Sequence, residues 1–279
     1  MSHDLIEQIG RSEVQHGPAS NRVYLMKLDR RDFPEIVSEI ADLADQNDYS
    51  KAFVKVPAYA RAGFEQNGYR VEAKIPGFYR GRDDAYFMAR YFDPDRSKDP
   101  AAEQVRQVLA AARHKAGSTV GVTLPPDCDC RTTTPADSEE MARLYRKVFA
   151  SYPFAIHNPD YLADTMAANL HYIGIWHTGQ LVALASAEMD EQGSNAELTD
   201  FATLPEWRGC GLANHLLQQL EHEMAQIGIT TCYTIARATS YGMNICFAAN
   251  GYRFSGTLIR NTQISGGLES MNVWYKHLP

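Results

Sequence analysis

The stretch Thr203–Leu217, TLPEWRGCGLANHLL, decides the fold of this chain. The alternating run Ala196–Thr203 before it predicts a β-strand. A helix is predicted after it, with one apolar face made of Leu212, Leu216, Leu217, Leu220 and Met224. Gly209 and Gly211 therefore lie where a helix begins, and the first backbone N–H groups of a helix have no partner within it. Together with the helix dipole and the guanidinium of Arg208, these amides predict a binding site for a phosphate or pyrophosphate group.

The segment Arg208-x-x-Gly211-x-Ala213 resembles the acetyl-CoA loop of the GNAT N-acetyltransferase superfamily, whose main-chain amides bind the pyrophosphate of coenzyme A. The order of predicted strands and helices after residue 128 is similar to the same superfamily. The resemblance implies an α/β (α+β) protein with a mixed, largely antiparallel twisted sheet, and acetyl-CoA as the cosubstrate. A glycine-containing helix start without a ligand is the alternative. A Rossmann dinucleotide site fits less well, because the third glycine of its pattern is absent.

The resemblance also implies which residues contact the cosubstrate. They are Phe201, Ala202, Thr203, Arg208, Gly209, Cys210, Gly211, Leu212, Ala213, Ser240, Asn244 and Phe247. Two of them depart from the superfamily pattern. Phe247 stands where many members have a tyrosine that protonates the leaving thiolate, and Ser240 replaces a common asparagine. Tyr241 is the candidate substitute acid, unless the thiolate leaves directly into water.

Acetyl transfer to an amine requires that the amine lose a proton, and a lysine-type ammonium has a pKa of about 10.4. Glu197 stands in the Ala-Glu-Leu context where many superfamily members place a catalytic glutamate, so it is the first candidate for the general base. Asp200 is the second candidate, and a contact to the substrate ammonium is its alternative role. Strand alternation predicts that these two side chains lie on opposite faces. A solvated or ion-paired structural role is the alternative for Glu197.

The chain is expected to have three parts: a degenerate GNAT-like half-domain at residues 1–95, a helical connector at 96–127 and a catalytic GNAT domain at 128–279. The half-domain is inferred because Phe64–Arg70 repeats the pattern of Phe247–Arg253. The segment Leu28–Pro34 stands where the glycine loop would be, and its bulky residues and proline would block a phosphate. A chance match is the alternative, since Asn-Gly commonly ends a helix.

The composition excludes several other classes of protein. The 279 residues are 44% hydrophobic and 22% charged, as in soluble globular proteins. No apolar run approaches the roughly 18 residues that span a membrane, and no signal peptide is expected at the N-terminus. Five cysteines without framework spacing favour the cytoplasm, and Cys128 and Cys130 lack a second ligand pair, so no metal is expected. A net charge of −7 without a basic cluster argues against nucleic-acid binding.

Several longer stretches resemble the beta-lysine N-acetyltransferases within the superfamily, namely Val14–Gly17, Asn21–Met26, Tyr49–Pro57, Glu72–Gly81 and Asn261–Lys276. This resemblance implies acetylation of the N6 amine of beta-lysine, with a compatible solute for osmoadaptation as the product and lysine 2,3-aminomutase as the source of the substrate. The expected substrate-binding residues are Tyr152, Phe154, Glu188, Asp200 and Glu269. The alternatives are another amine (lysine, a polyamine or a protein lysine) and a non-catalytic acyl-CoA-binding module. A homodimer is compatible with the sequence.

Overall fold

The computed structural model describes residues 4–118 and 121–279. Residues 1–3 of the expected half-domain and 119–120 of the expected connector lie outside the described residues. The chain forms a six-stranded sheet in its N-terminal half and a seven-stranded sheet in its C-terminal half. Among the residues described, no helix is long and apolar enough to cross a membrane.

The N-terminal sheet has the strand order β1-β2-β3-β4-β6-β5. Its strands are β1 (Leu5–Ile9), β2 (Ser12–Gly17), β3 (Arg22–Lys27), β4 (Lys51–Pro57), β5 (Arg70–Tyr79) and β6 (Asp83–Tyr91). Helix α1 (Ile36–Gln46) joins the parallel pair β3 and β4, and α2 (Ala58–Gln66) precedes β5. The other neighbouring strands are antiparallel. Helix α1 forms because Ile36, Val37, Ile40 and Ala44 repeat at helical spacing and are buried against the sheet.

The C-terminal sheet has the order β7-β8-β9-β10-β11-β13-β12. Its strands are β7 (Cys128–Thr132), β8 (Leu170–His177), β9 (Gln180–Asp190), β10 (Asn195–Thr203), β11 (Thr231–Arg237), β12 (Arg253–Ile264) and β13 (Gly267–His277). The helices are α3 (Ala102–His114), α4 (Ser138–Val148), α5 (Pro159–Ala168), α6 (Leu212–Gln226) and α7 (Tyr241–Ala249). Among the described strands of this sheet, β10 and β11 form the one parallel pair, and the other neighbours are antiparallel. The predicted mixed, largely antiparallel architecture is therefore confirmed.

The predicted apolar face of the helix after the glycine loop is buried. Its five residues, Leu212, Leu216, Leu217, Leu220 and Met224, belong to the core between α6 and the C-terminal sheet. The helix of the expected connector is α3, whose apolar side packs into the same core through Val105, Leu109 and Ala112. The expected N-terminal half is thus followed by a helix that belongs to the C-terminal core.

The two sheets share one topology. The series β1-β2-β3-β4-β6-β5 corresponds, strand for strand, to β8-β9-β10-β11-β13-β12, and α1 and α2 correspond to α6 and α7. The two Asn-Gly copies also correspond, since Asn67-Gly68 follows α2 and Asn250-Gly251 follows α7. This symmetry supports the half-domain interpretation, although the domain bounds remain a prediction.

The sheets pack face to face through a mixed core. Tyr24, Phe53, Ile75, Phe78 and Phe87 of the N-terminal sheet contact Tyr233, Leu258, Met271, Val273 and Tyr275 of the other. Strands β5 and β12 come so close that a Cβ atom at Gly256 would lie 2.0 Å from the carbonyl oxygen of Glu72. Ser255 Oγ accepts from Lys74 N at 2.9 Å and donates to Lys74 O at 2.7 Å. The N-terminal half therefore covers one face of the C-terminal sheet.

Candidate active site

Strand β10 is interrupted where the candidate site lies. It pairs with β11 only from Asn195 to Glu197, and the two strands diverge beyond that point. On its other side, the register with β9 shifts between Thr199 and Ala202, and Asp200 has a φ of 54°. A bulge re-aims the side chains of a strand. Glu197 and Asp200 consequently line the same cavity, so the expectation that they face opposite sides is wrong.

The diverging strands open a first cavity of 620 Å³, which we call the cofactor cavity. At its mouth, Gly209 and Gly211 have φ values of 82° and 79°, a region that favours glycine. A Cβ atom at Gly209 would have no atom within 4 Å, so the main chain there is open to a ligand. The first i→i−4 bond of α6 runs from His215 N to Gly211 O at 3.1 Å, which leaves the preceding amides without helical partners.

Most of the expected cofactor-binding residues line this cavity. They are Phe201, Thr203, Arg208, Gly209, Gly211, Leu212, Ala213, Ser240 and Phe247. Ala202 is buried on the core side of β10, and Cys210 is exposed. Phe247 packs edge-on against Phe201 at 5.5 Å, so this part of the wall is apolar.

A second cavity of 460 Å³ lies between the two sheets, and we call it the acceptor cavity. It is lined by both halves of the chain. The two cavities share Tyr152, Thr199, Asp200, Ile235, Ile264 and Met271. The acceptor cavity therefore meets the cofactor cavity at the bulge of β10, and a group at this junction is reached from both sides.

The acceptor cavity carries carboxylates on its C-terminal wall. Glu188 and Glu197 lie directly opposite each other on β9 and β10. Burial, and next the charge of Glu188, raise the pKa of Glu197 to about 7. Burial also raises the pKa of Glu188. A carboxyl group with a pKa near neutrality is suited to accept a proton from an ammonium group.

Asp200 lies at the junction and is held by hydroxyl groups. Tyr152 donates to its Oδ1, and Ser186 donates to its Oδ2 at 2.6 Å. Burial raises the pKa of Asp200. These hydrogen bonds fix the carboxylate. They also tie the loop between α4 and α5, which contains Tyr152, to the bulge. Phe154 of the same loop also lines the acceptor cavity.

Comparison with known proteins agrees with this arrangement. Residues 138–248 match the Acetyltransferase (GNAT) family. A beta-lysine N(6)-acetyltransferase of Methanococcus maripaludis is 38% identical over 275 residues, which cover 97% of this chain and 98% of that protein. The chain belongs to the GNAT acetyltransferase family. The prediction of the fold and of an N-acetyltransferase is thereby confirmed.

Two further relatives match along most of their length. The N-acetyltransferase YodP of Bacillus subtilis is 30% identical, with 95% of each chain covered. A beta-lysine N(6)-acetyltransferase of Methanosarcina mazei is 31% identical, with 88% of this chain and 98% of that protein covered. Both matches include the N-terminal half of this acetyltransferase as well as the half with the glycine loop.

Asn244 does not contact the cofactor cavity of this acetyltransferase, so its expected role needs correction. Its Nδ2 donates to Arg237 O at 2.9 Å and Ser240 O at 2.7 Å. Its Oδ1 accepts from Asn272 Nδ2 at 2.8 Å and Trp274 Nε1 at 2.9 Å. Every hydrogen-bonding position of the amide is thus used within the fold. Asn244 fastens the start of α7 to β13.

Tyr241 and Glu269 also lie outside the positions that the sequence predicted. Tyr241 is 43% exposed and faces α3, away from both cavities, so the geometry does not support it as the acid. Glu269 forms a bidentate ion pair with Arg237 and accepts from Thr239 Oγ1 at 3.3 Å. Glu269 lines neither cavity, and its partner Arg237 lines the cofactor cavity, so the expected contact of Glu269 to the acceptor is not supported.

The sequence interpretation missed the N-terminal wall of the acceptor cavity. Arg22, Tyr24 and Lys55 line it from β3 and β4, and Asn261 lines it from β12. Lys55 Nζ donates to Tyr233 Oη at 2.9 Å, and Tyr233 in turn hydrogen-bonds Glu197. The only signal for these residues was that the stretches resembling the beta-lysine enzymes extended into the N-terminal half.

Proposed function

We propose that this acetyltransferase transfers the acetyl group of acetyl-CoA to the N6 amine of beta-lysine. The single observation that carries the proposal is the cavity between the sheets, which is bounded by both halves of the chain, has carboxylates on one wall and meets the cofactor cavity. Such a cavity suits a small, doubly cationic amine better than a protein lysine, which needs an open groove. Relatives named beta-lysine N(6)-acetyltransferase cover nearly the whole chain, which supports the choice of amine.

The residues of the cofactor cavity fit acetyl-CoA. The open main chain at Gly209, the unpaired amides at the start of α6 and Arg208 suit the pyrophosphate. The apolar wall of Phe201 and Phe247 suits the pantetheine arm, and the unpaired edge of β10 after Glu197 offers it main-chain hydrogen bonds. Bound acetyl-CoA supplies an activated acetyl group, which leaves the thioester sulfur for the amine nitrogen.

Glu197 is the general base in this proposal. With a pKa of about 7, its carboxyl group is ionised in a substantial fraction at neutral pH and can accept the proton that the ammonium loses. Tyr233 and Lys55 hold the ionised form, since the hydrogen bond of Tyr233 and the charge of Lys55 both lower the pKa that burial raises. Without them, Glu197 would be protonated over more of the neutral range.

Asp200 orients the acceptor. Its carboxylate lies at the junction of the cavities, where an ammonium group must lose its proton, and Tyr152 and Ser186 keep it in place. The negative charge attracts the ammonium form of the acceptor. Glu188 adds a second negative charge on the same wall. Two acidic positions suit an acceptor with two amino groups.

The physiological role forms part of the proposal. Acetylation removes one positive charge from beta-lysine and leaves a zwitterion suited to accumulation as a compatible solute. A lysine 2,3-aminomutase would supply the substrate. The five cysteines are all free, which supports a cytoplasmic location. The homodimer remains a prediction.

The test is a comparison of amines. Purified protein is incubated with acetyl-CoA and, separately, beta-lysine, lysine, spermidine or a lysine peptide, and free thiol is followed. Nuclear magnetic resonance then identifies the acetylated nitrogen. We expect the highest kcat/KM with beta-lysine and acetylation at N6. A higher kcat/KM with any other amine, or acetylation at N3, would overturn the proposal.

A further inference from the structure

We propose that Arg22 of the N-terminal half binds the carboxylate of the acceptor, so that this acetyltransferase selects amines that carry one. The inference rests on the proposed function in taking the acceptor cavity as the amine site. It assigns the N-terminal half a direct part in substrate recognition, which neither the family nor the names of its relatives assigns.

Arg22 is a buried cation that has no carboxylate partner among the described residues; its guanidinium lies over the rings of Tyr24 and Phe53, at 5.0 and 5.7 Å from their centroids. Arg22 is 4% exposed and lines the acceptor cavity. Its guanidinium donates to Asn261 O at 2.6 Å, Thr262 Oγ1 at 3.2 Å and Gln15 Oε1 at 3.2 Å, and all three acceptors are neutral. Among the described residues, no carboxylate forms an ion pair with it, and its Nε has no partner. Burial lowers the pKa of Arg22 to about 10.

Burial of an unpaired charge is costly, and Arg22, unlike Arg96, keeps its charge on the wall of the acceptor cavity, where an opposite charge on a ligand can offset that cost. A carboxylate is the natural partner, because it accepts from a guanidinium through two oxygens. The unused Nε of Arg22 leaves a donor for it. The cavity then offers groups for both ends of an amino acid: the guanidinium of Arg22 for the carboxylate, and Glu188, Glu197 and Asp200 for the ammonium groups. Its other cations are engaged by the chain, since Lys55 donates to Tyr233 and Lys27 pairs with Asp190.

A second orphaned polar group lies beside the guanidinium. Asn261 is 1% exposed and lines the same cavity, and its Oδ1 has no hydrogen-bond partner among the described residues. An amide oxygen accepts from an ammonium group but not from a carboxylate. In beta-lysine the 3-ammonium is two carbons from the carboxyl carbon, so Arg22 and Asn261 together suit this end of the molecule.

Arg22 is also connected to the junction of the cavities. Its partner Gln15 donates through Nε2 to Pro153 O at 3.4 Å, and the neighbouring Tyr152 donates to Asp200. In this proposal, a carboxylate held at Arg22 leaves the opposite end of the acceptor, with its N6 amine, free to reach the bulge of β10 in the same cavity.

The test compares beta-lysine with 1,4-diaminopentane, which keeps both amines and lacks the carboxylate. For the wild type, we expect kcat/KM to be about 100-fold lower for the diamine, the effect of one charged hydrogen-bonded contact. Arg22→Gln should lower kcat/KM for beta-lysine about 100-fold, mainly through KM, and change the value for the diamine less than about threefold. Calorimetry of beta-lysine binding gives the same comparison without turnover.

Arg96→Gln is the matched control. Arg96 is 2% exposed, joins the halves through the neutral acceptors Arg260 O, Ser50 Oγ and Ser20 O, and does not line the acceptor cavity. Arg96→Gln should change the melting temperature but leave the ratio of kcat/KM for beta-lysine to kcat/KM for the diamine unchanged. If Arg22→Gln fails to fold, Arg22→Lys serves instead, since it keeps the charge but loses the planar two-oxygen contact to a carboxylate and should lower kcat/KM for beta-lysine more than for the diamine.

The outcomes separate this inference from the proposed function. The inference is overturned if the wild type has equal kcat/KM for the two amines, or if Arg22→Gln lowers kcat/KM equally for both. In either case Arg22 only joins the sheets, and the acetyltransferase assignment stands. If Arg96→Gln changes the ratio as much as Arg22→Gln, the inference is likewise overturned. Absence of turnover and of binding with beta-lysine in the wild type would overturn the proposed function itself.

Discussion

The two halves of this acetyltransferase share a strand order and differ at the position that matters for catalysis. In the C-terminal half, β10 and α6 are joined by a glycine loop that opens into the cofactor cavity. At the equivalent position between β3 and α1, the carboxylate of Asp32 accepts from Arg11 N at 2.8 Å and Ser12 Oγ at 2.6 Å. A carboxylate of the chain therefore ties this loop to the turn between β1 and β2.

The strand pairs differ in the same way. β3 and β4 pair from Arg22–Lys51 to Leu25–Val54, whereas β10 and β11 separate after Glu197. Uninterrupted pairing in the first half leaves no edge for a cofactor. The comparison teaches that this topology supplies the scaffold, and that the open loop and the bulge at Asp200 give only one copy the cavity in which we propose that acetyl-CoA binds. The other copy becomes a wall of the acceptor cavity.

The largest expected effect concerns the base. Glu197→Gln removes the proton acceptor and should lower kcat about 100- to 1,000-fold, with little change in the affinity for coenzyme A. Steady-state kinetics and calorimetry measure the two quantities. Glu188→Gln is the control, since it lies opposite on β9 and should cost less than tenfold. Equal losses in the two variants would contradict the assignment of Glu197.

The next effect tests the loop against a matched glycine. Gly209 and Gly228 both have positive φ, of 82° and 85°, and at both a Cβ atom would have no atom within 4 Å. Alanine at either position therefore costs about 1–2 kcal/mol of backbone strain. Of the two variants, only Gly209→Ala should also lower the affinity for coenzyme A, by about tenfold, because Gly209 lines the cofactor cavity and Gly228 does not. Similar calorimetric affinities for the two variants would refute the loop as the pyrophosphate site.

A smaller effect should appear in the pH profile. Because the base acts when ionised, kcat/KM should fall as the pH drops below about 7, the pKa of Glu197. The charge of Glu188 raises this pKa, so Glu188→Gln should move the acidic limb to lower pH. A limb that stays in place or moves to higher pH would show that the pair is not coupled as described.

The smallest effect is on stability. The pKa of Glu197 rises from 4.5 in the unfolded chain to about 7 in the fold, so its favourable contribution is complete below about 4.5 and is lost as the pH rises through 7. Glu197→Gln should therefore be more stable than the wild type at pH 8, on the order of 1–3 kcal/mol, and close to it at pH 4.5. Denaturant unfolding at both pH values measures this, and the opposite order would refute it.

The sequence predicted the features that depend on neighbouring residues. Glycines at a helix start and leucines at helical spacing are local signals, so the loop and α6 were found in the correct place. The predicted direction of the Asp200 side chain was wrong because the alternation rule assumes a regular strand. No residue pattern in the sequence indicated the bulge. At the start of α7, the orientation of the helix determines which side chains reach the cofactor cavity. It turns Tyr241 towards α3 and buries Asn244 inside the fold.

The acceptor cavity could not be predicted in the same way. Arg22 and Asn261 are 239 positions apart along the chain, and Lys55 meets Tyr233 across 178 positions. Only the packing of one sheet on the other brings these groups together. Glu269 was expected at the acceptor because a cationic substrate calls for carboxylates. Its ion pair with Arg237 becomes evident only from the pairing of β11 with β13.

The absence of a side chain at Gly256 sets how closely the two halves approach. Any larger residue there would act as a wedge against the carbonyl of Glu72 and push the two sheets apart at that edge. One missing methyl group, in a residue that lines neither cavity, therefore keeps the two layers of the enzyme in register.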